Sequence, residues 1–389
     1  MTSRSAARAP RALRPGSVGE VARLFLRLGV LGFGGPAAHI AMMRDEVVRR
    51  RGWMDDASFL ELVGATNLIP GPNSTELAIH LGHRRAGPRG LVVAGLCFIA
   101  PAALIVGTLA WLYREHGTDP RVVDLRYGVL PVIVAVVGHA VVGLGRTAVR
   151  SVLHAAIAVG ALIAYLAGVH ELLVLAAAGA LATLWHRRRG LGRRVSSLLW
   201  PVWLTAVPDT SRPPVAPTLW RLALVFGEIG GVLYGSGYVL LAFLQRHLVD
   251  DLGWLSGRQL LDAIAVGQVT PGPVFTTATF VGWQVHGWSG ALVATVAIFA
   301  PSFVFVALLG RIVDWMRHHP TARAFLAGVT TASLGLMAGV LIELAGDALT
   351  DAVTVVVALV ALALLVRTKV NSAWLVGAGV LIGALHALA

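Results

Sequence analysis

Apolar residues run along this chain in long, nearly unbroken stretches at 21–43, 57–82, 90–112, 127–145, 151–168 and 170–186. A basic stretch from Arg187 to Arg194 follows, then a connector carrying Pro201, Pro208, Pro213, Pro214 and Pro217. The stretches resume at 219–244, 259–282, 288–312, 324–346, 349–366 and 371–388. Most approach the ~20 residues that a helix needs to cross a bilayer. Membrane barrels would need alternating segments of about 10 residues instead. The pattern predicts an all-α polytopic membrane protein. Its expected divisions are a polar tail over 1–19, a transmembrane unit over 20–186, a basic, Pro-rich linker over 187–218, and a second transmembrane unit over 219–389.

The two units repeat. Sliding the chain by 201 residues sets Gly34 on Gly235, Ala41 on Ala242, Val48 on Val249, Gly52-Trp53 on Gly253-Trp254 and Leu60 on Leu261. It also sets Pro70-Gly71-Pro72 on Pro271-Gly272-Pro273 and Thr75 on Thr276. At a register of 200, Ala100-Pro101 meets Ala300-Pro301. Matches at Trp, Pro and Gly are not what two unrelated apolar helices share. Equivalent connections carry opposite charge bias: Arg84, Arg85 and Arg89 against none at 283–287, and Arg146 and Arg150 against Asp347 and Asp351. The positive-inside rule then sets the units inverted, as in many transporters. Inversion needs an odd number of crossings per unit. About five crossings plus one broken, re-entrant Pro-Gly-Pro segment satisfy it. That layout leaves Arg4, Arg8, Arg11 and Arg14 of the tail outside, against the rule. The rival layout makes the second run a full crossing and adds a short crossing at about 195–208.

Composition closes off other classes. Hydrophobic residues make up 56% and charged residues 13%, and the mean hydropathy is +0.75. A soluble core of this length could not hide so much apolar surface. The net charge of +12 sits in short connections rather than in a basic domain, so no nucleic-acid partner is expected. Lys369 is the sole Lys, which suggests a GC-rich bacterial genome. Cys97 is the sole Cys, so no internal disulfide forms. The first 19 residues lack the apolar core of a cleaved signal peptide.

The chemistry gathers at two motifs. "NLIPGPNSTELAIHLG" from Asn67 to Gly82 is mirrored by "QVTPGPVFTTATFVG" from Gln268 to Gly282. Two prolines around a glycine cannot continue a helix. Irregular backbone at membrane depth survives only where protein or water covers it. New helices should start after Pro72 and Pro273, offering free N–H groups and partial positive charge to an oxyanion. A bare structural kink is the bland alternative. "GFGGPAAH", Gly32 to His39, opposite "YGSGY", Tyr234 to Tyr238, suggests a second break or close helix packing. The candidate substrate-lining residues are Gly34, Gly35, Pro36, His39, Asn67, Pro70, Gly71, Pro72, Asn73, Ser74 and Thr75. Their counterparts are Gln268, Thr270, Pro271, Gly272, Pro273, Thr276 and Thr277. Glu76 and His80 are coupling candidates, since ionisable residues at membrane depth are functional by default. Glu76 reads equally as a proton carrier or as the N3 member of a capping box begun by Asn73. His80, four residues on, could pair with it. No HExxH, CxxC or Walker A motif occurs, so no metal, cofactor or ATP site is expected.

"GFGGPAAHI" at 32–40, "PGPNSTELAIHLG" at 70–82, "GSGYVLLAFLQ" at 235–245 and "GQVTPGPVFTTATFVG" at 267–282 resemble the signatures of the chromate ion transporter family, long-chain form. The resemblance runs from about residue 20 to 388. It implies a secondary transporter in the bacterial inner membrane that exports chromate on the membrane potential or proton gradient and confers chromate resistance. Sulfate, a close mimic, is the alternative substrate. The expected partners are a small inorganic oxyanion and the lipid bilayer, and a homodimer is compatible. The competing class is a membrane-embedded lipid-pyrophosphate phosphatase. Its only matching cluster is Ser74, Glu76 and His80, with no Arg among them.

Overall fold

A computed structural model describes residues 16–33, 35–116, 120–190, 216–234, 239–368 and 370–387. The tail arginines, Gly34, the 195–208 stretch, residues 235–238 and Lys369 lie outside the described residues. The described chain is helical, with no strand. The first unit holds α1 (Val18–Leu31), α2 (Gly35–Arg44, continuing as a π-turn over Asp45–Arg50), α3 (Asp56–Thr66), α4 (Asn73–His116), α5 (Pro120–Ala148), α6 (Val152–Leu166) and α7 (Glu171–Gly190). The second repeats the order: α8 (Leu219–Val232), α9 (Leu240–Leu244, with a π-turn over Gln245–Asp251), α10 (Gly257–Val269), α11 (Thr277–His318), α12 (Pro320–Ala348), α13 (Ala352–Arg367) and α14 (Ser372–His386). Residues Asn73–His116, Asp124–Arg146, Val274–Ile312 and Pro320–Ala348 are long and apolar enough to cross a membrane. Leu96, Leu104 and Leu292 stand exposed on such helices, where acyl chains would cover them.

Local chemistry sets the ends. Ser17, Asp55, Ser151, Thr218, Ser256 and Asp351 each accept a hydrogen bond from the backbone N–H three residues on. Such caps satisfy donors that the first turn leaves open. α4 and α11 each fold back on themselves at Ala86-Gly87 and His286-Gly287. Gly87 and Gly287 hold φ of 63° and 61° there.

One expectation changes. The first apolar run of each unit is also a broken pair, not a single crossing. α1 ends at Gly32, Gly35 turns with φ 75°, and α2 comes back. The Gly16 N–H donates to the Arg85 carbonyl at 2.9 Å, and Glu20 pairs with Arg85 at 2.9 Å and Arg51 at 3.9 Å. So residues 16, 20, 51 and 85 share one face. Both α1–α2 and α3 with the first limb of α4 start and finish there. Among the described residues each unit therefore has two broken pairs and four continuous helical segments, an even number in place of the expected five, and the described chain starts on the arginine-bearing face rather than opposite it.

The matching limbs of the units run antiparallel. Gly95 faces Phe303, and Gly107 faces Trp288. Their rims also carry opposite charges at the 201-residue register. Arg27, Asp45, Glu46, Arg49 and Arg50 stand where the second unit has Glu228, Arg246, His247, Asp250 and Asp251.

Candidate functional site

The two Pro-Gly-Pro tips each dock on the first break of the opposite unit. The Gly71 N–H donates to the Leu233 carbonyl at 2.8 Å, and the Gly272 N–H donates to the Gly32 carbonyl at 2.8 Å. These bonds are equivalent by the 201-residue register, because 71 maps to 272 and 32 to 233. Gly71 holds φ of 128° and Gly272 φ of 97°, a region that strains any side-chain-bearing residue. Gly71, Pro72 and the whole second tip are buried and Pro70 is half-buried, as irregular backbone at membrane depth requires.

The helix after the first tip starts directly. The Pro72 carbonyl accepts from Thr75 N–H at 2.8 Å and Glu76 N–H at 3.1 Å. Pro72 is thus the cap and Asn73 the first helical residue, so the Asn73–Glu76 capping box does not form. The Asn73 side-chain amide donates instead to Asn67 Oδ1 at 2.6 Å. Glu76 is completely buried, and neither carboxylate oxygen has a hydrogen-bond partner. A Cβ on Gly71 would collide with that carboxylate and with the Ser302 hydroxyl. The Ser302 hydroxyl, Thr75 Oγ1, the Tyr234 hydroxyl and Gln268 Nε2 are likewise buried without partners. His80 does not pair with Glu76; its Nδ1 is unpartnered too. His39 is buried, with Nε2 2.9 Å from the Gly32 carbonyl and Nδ1 3.4 Å from Ser74 Oγ. It ties the first break to the new helix. Gly35 and Pro36 open α2.

The second tip is drier. Thr270 donates to Val266, Thr276 to Pro273 and Thr277 to Val274, all backbone carbonyls within 2.9 Å. Thr277 stands where Glu76 does, and Ala102 meets Gly272 where Ser302 meets Gly71. Residues 271–280 are all buried, whereas Asn67 is exposed and Pro70 and Asn73 half-buried. The asymmetry places most of these unsatisfied polar atoms at the first tip, with Gln268 Nε2 beside the second as the exception.

A cavity of about 350 Å³ lies beside that tip, lined by Asn67, Asn73, Tyr234, Thr330, Ser333 and Arg150, among others. A water's share of liquid is about 30 Å³, so this is room for roughly ten waters, or a four-oxygen anion with part of its shell. Away from it, Asp262 accepts from the Tyr113 hydroxyl at 2.6 Å and pairs with Arg126 at 3.3 Å. The equivalent Glu61 is exposed.

Tyr234 opens the "YGSGY" motif already singled out, whereas Ser302, Arg150, Thr330 and Ser333 were not legible as site residues. Arg150, Thr330 and Ser333 stand on helices or turns without punctuating residues. Ser302 did leave a signal: it follows the repeated Ala-Pro pair, where the first unit has Ala102.

Comparison with known proteins agrees with the motifs. The family model described as chromate transporter matches residues 19–184 and 220–384. A probable chromate transport protein of Synechococcus elongatus is 31% identical over 89% of this chain and 89% of its own length. A chromate transport protein of Cupriavidus metallidurans is 31% identical over 92% of this chain and 90% of its own. One from Pseudomonas aeruginosa is 30% identical over 85% of this chain and 82% of its own. No solved structure matches.

Proposed function

We propose, from the premise that this chain belongs to the chromate transporter family, that it is a secondary transporter exporting chromate across the bacterial inner membrane and so confers chromate resistance. The observation that carries this reading is the reciprocal docking of the two tips, Gly71 on Leu233 and Gly272 on Gly32. It gives two inverted units one shared centre, the arrangement in which broken helices hold a substrate at the midplane. In this reading the 20–186 and 219–389 units are the inverted repeats. The oxyanion sits in the cavity at the N-terminus of α4, against Asn67 and Asn73, with Ser74 and Thr75 buried on the first turn of the same helix, and the second tip supports it from the other unit. Arg150 lines the cavity at the end of α5 and draws the anion in. Glu76 beside Gly71 is the group whose charge state sets how readily an anion is accepted. The arginine-bearing face, with Arg49, Arg51, Arg85 and Arg150, is cytoplasmic.

Uptake of radiolabelled chromate into inverted membrane vesicles tests the reading, with unlabelled sulfate as competitor. Saturable uptake that Arg150→Gln weakens through KM supports it. Uptake no greater than in vesicles without the protein overturns export. Phosphate released from a lipid pyrophosphate by the purified protein would favour the enzyme class instead.

A further inference from the structure

Far from the tips, on the face opposite Glu20 and Arg85, the α6–α7 turn of the first unit meets the π-turn after α9 of the second. The Arg246 guanidinium donates to the Gly168 carbonyl at 3.1 Å across that junction. Beside it stand His170, Glu171 and His247, with one potential ligand atom from each lying within 4.8 Å of the others. His247 Nδ1 is 3.0 Å from Glu171 Oε1, and His170 Nδ1 is 3.7 Å from Glu171 Oε2. We propose that His170, Glu171 and His247 form a binding site for a divalent transition-metal ion of the zinc or nickel class, bridging the two units.

Further features support a cation there. Glu171 has no exposed surface, and neither of its oxygens has an aligned hydrogen-bond donor. Burying a carboxylate without such donors is costly unless a cation compensates it. The donor set is two imidazoles and one carboxylate, which suits zinc, nickel and copper over magnesium or calcium. Ligand bonds of about 2.0–2.2 Å ask the three atoms to draw in by roughly 1 Å, a side-chain adjustment on the ends of helices. The rim is acidic as well: Glu228, Asp250 and Asp251 stand where the first unit has Arg27, Arg49 and Arg50. The nearby Arg246 is engaged by Asp251 at 3.3 Å and by Gly168. His170 is partly exposed, which leaves an ion a way in from that face. Because the histidines come from different units, a bound ion would hold this face closed.

The test uses the purified full-length protein in detergent with ZnCl2 and, separately, NiCl2. Calorimetric titration should show about one equivalent bound, and Zn2+ should raise the melting temperature by mass action on the folded state. His170→Gln and His247→Gln should each weaken binding more than tenfold and remove the thermal shift. Glu171→Gln is a third variant; if it fails to fold, the two histidine variants carry the test. No binding at millimolar metal, or unchanged affinity in the His170→Gln/His247→Gln double variant, overturns the site and leaves a His–Glu ion pair. Neither arm depends on chromate transport.

Discussion

At the scale of single residues, the site is defined by what its polar atoms lack. A fully buried carboxylate with no donor is unusual in a protein interior, where nearly all buried polar groups are paired. Glu76 has that character, and it presses against Gly71 beside Ser302. A negative charge there repels an arriving oxyanion, and a proton on Glu76 removes the repulsion. Gln keeps the shape and cannot ionise. Glu76→Gln is therefore expected to keep transport and to flatten its pH dependence between about 5 and 8. A wild-type pH profile in that variant would remove Glu76 from the coupling role. The tip glycines make a second case. Even Ala at Gly71 or Gly272 meets a strained φ, costing about 1–3 kcal/mol, and also collides with Glu76 and Ser302 or with Ala102. Gly71→Ala and Gly272→Ala should each lower vesicle transport at least tenfold while the protein still reaches the membrane. Near-normal rates in both would show that the tips are not the site.

At the scale of elements, the Pro-Gly-Pro breaks were plain in the sequence because two prolines forbid a helix whatever surrounds them. The first breaks were not. Gly32, Gly35 and Pro36 are compatible with tight packing of a continuous helix, and only the return of α2 to the Glu20 face decides the matter. The capping box, one of the two readings offered for Asn73 and Glu76, fails for a similar reason. The spacing of Asn73 to Glu76 fits such a box, but Pro72 already supplies the capping carbonyl. The clasp of Asp262 with Tyr113 and Arg126 joins residues 149 and 136 positions apart, beyond any local pattern. Removing one donor from a buried carboxylate costs about 1–3 kcal/mol, enough to shift a conformational balance several-fold. Tyr113→Phe is expected to open the second tip toward the Asp262 face. In a Cys97→Ala, Gln268→Cys background, a membrane-impermeant maleimide applied from that face should then label residue 268 several times faster. Equal labelling rates would show that the clasp does not hold that face shut.

For the whole molecule, orientation and energy go together. α7 ends on the arginine-bearing face, because Thr183 contacts the Thr321 carbonyl beside the end of α11. α8 runs alongside the second limb of α11, with Gly230 against Ile298 and Gly231 against Pro301, so Thr218 begins on the opposite face. Reporters at residues 190 and 318 should read cytoplasmic, and those at 218 and 348 periplasmic. A cytoplasmic reading at 218 would defeat the inverted arrangement. Given that arrangement, a chromate dianion leaving a cell that is negative inside moves with the field. Each charge gains about 2.3 kcal/mol per 100 mV, so the dianion gains about 4.6 kcal/mol. At 1.4 kcal/mol per factor of ten, that sustains a concentration ratio of more than about a thousandfold. A proton gradient is not needed for the energy; in the proposed reading Glu76 then governs access of the anion rather than its driving force. In inverted vesicles energised by respiration, collapsing the potential with valinomycin and K+ should abolish uphill chromate accumulation. Nigericin, which removes the pH gradient and leaves the potential, should spare most of it. The reverse pattern would make the protein a proton-coupled exchanger and return Glu76 to the role of proton carrier.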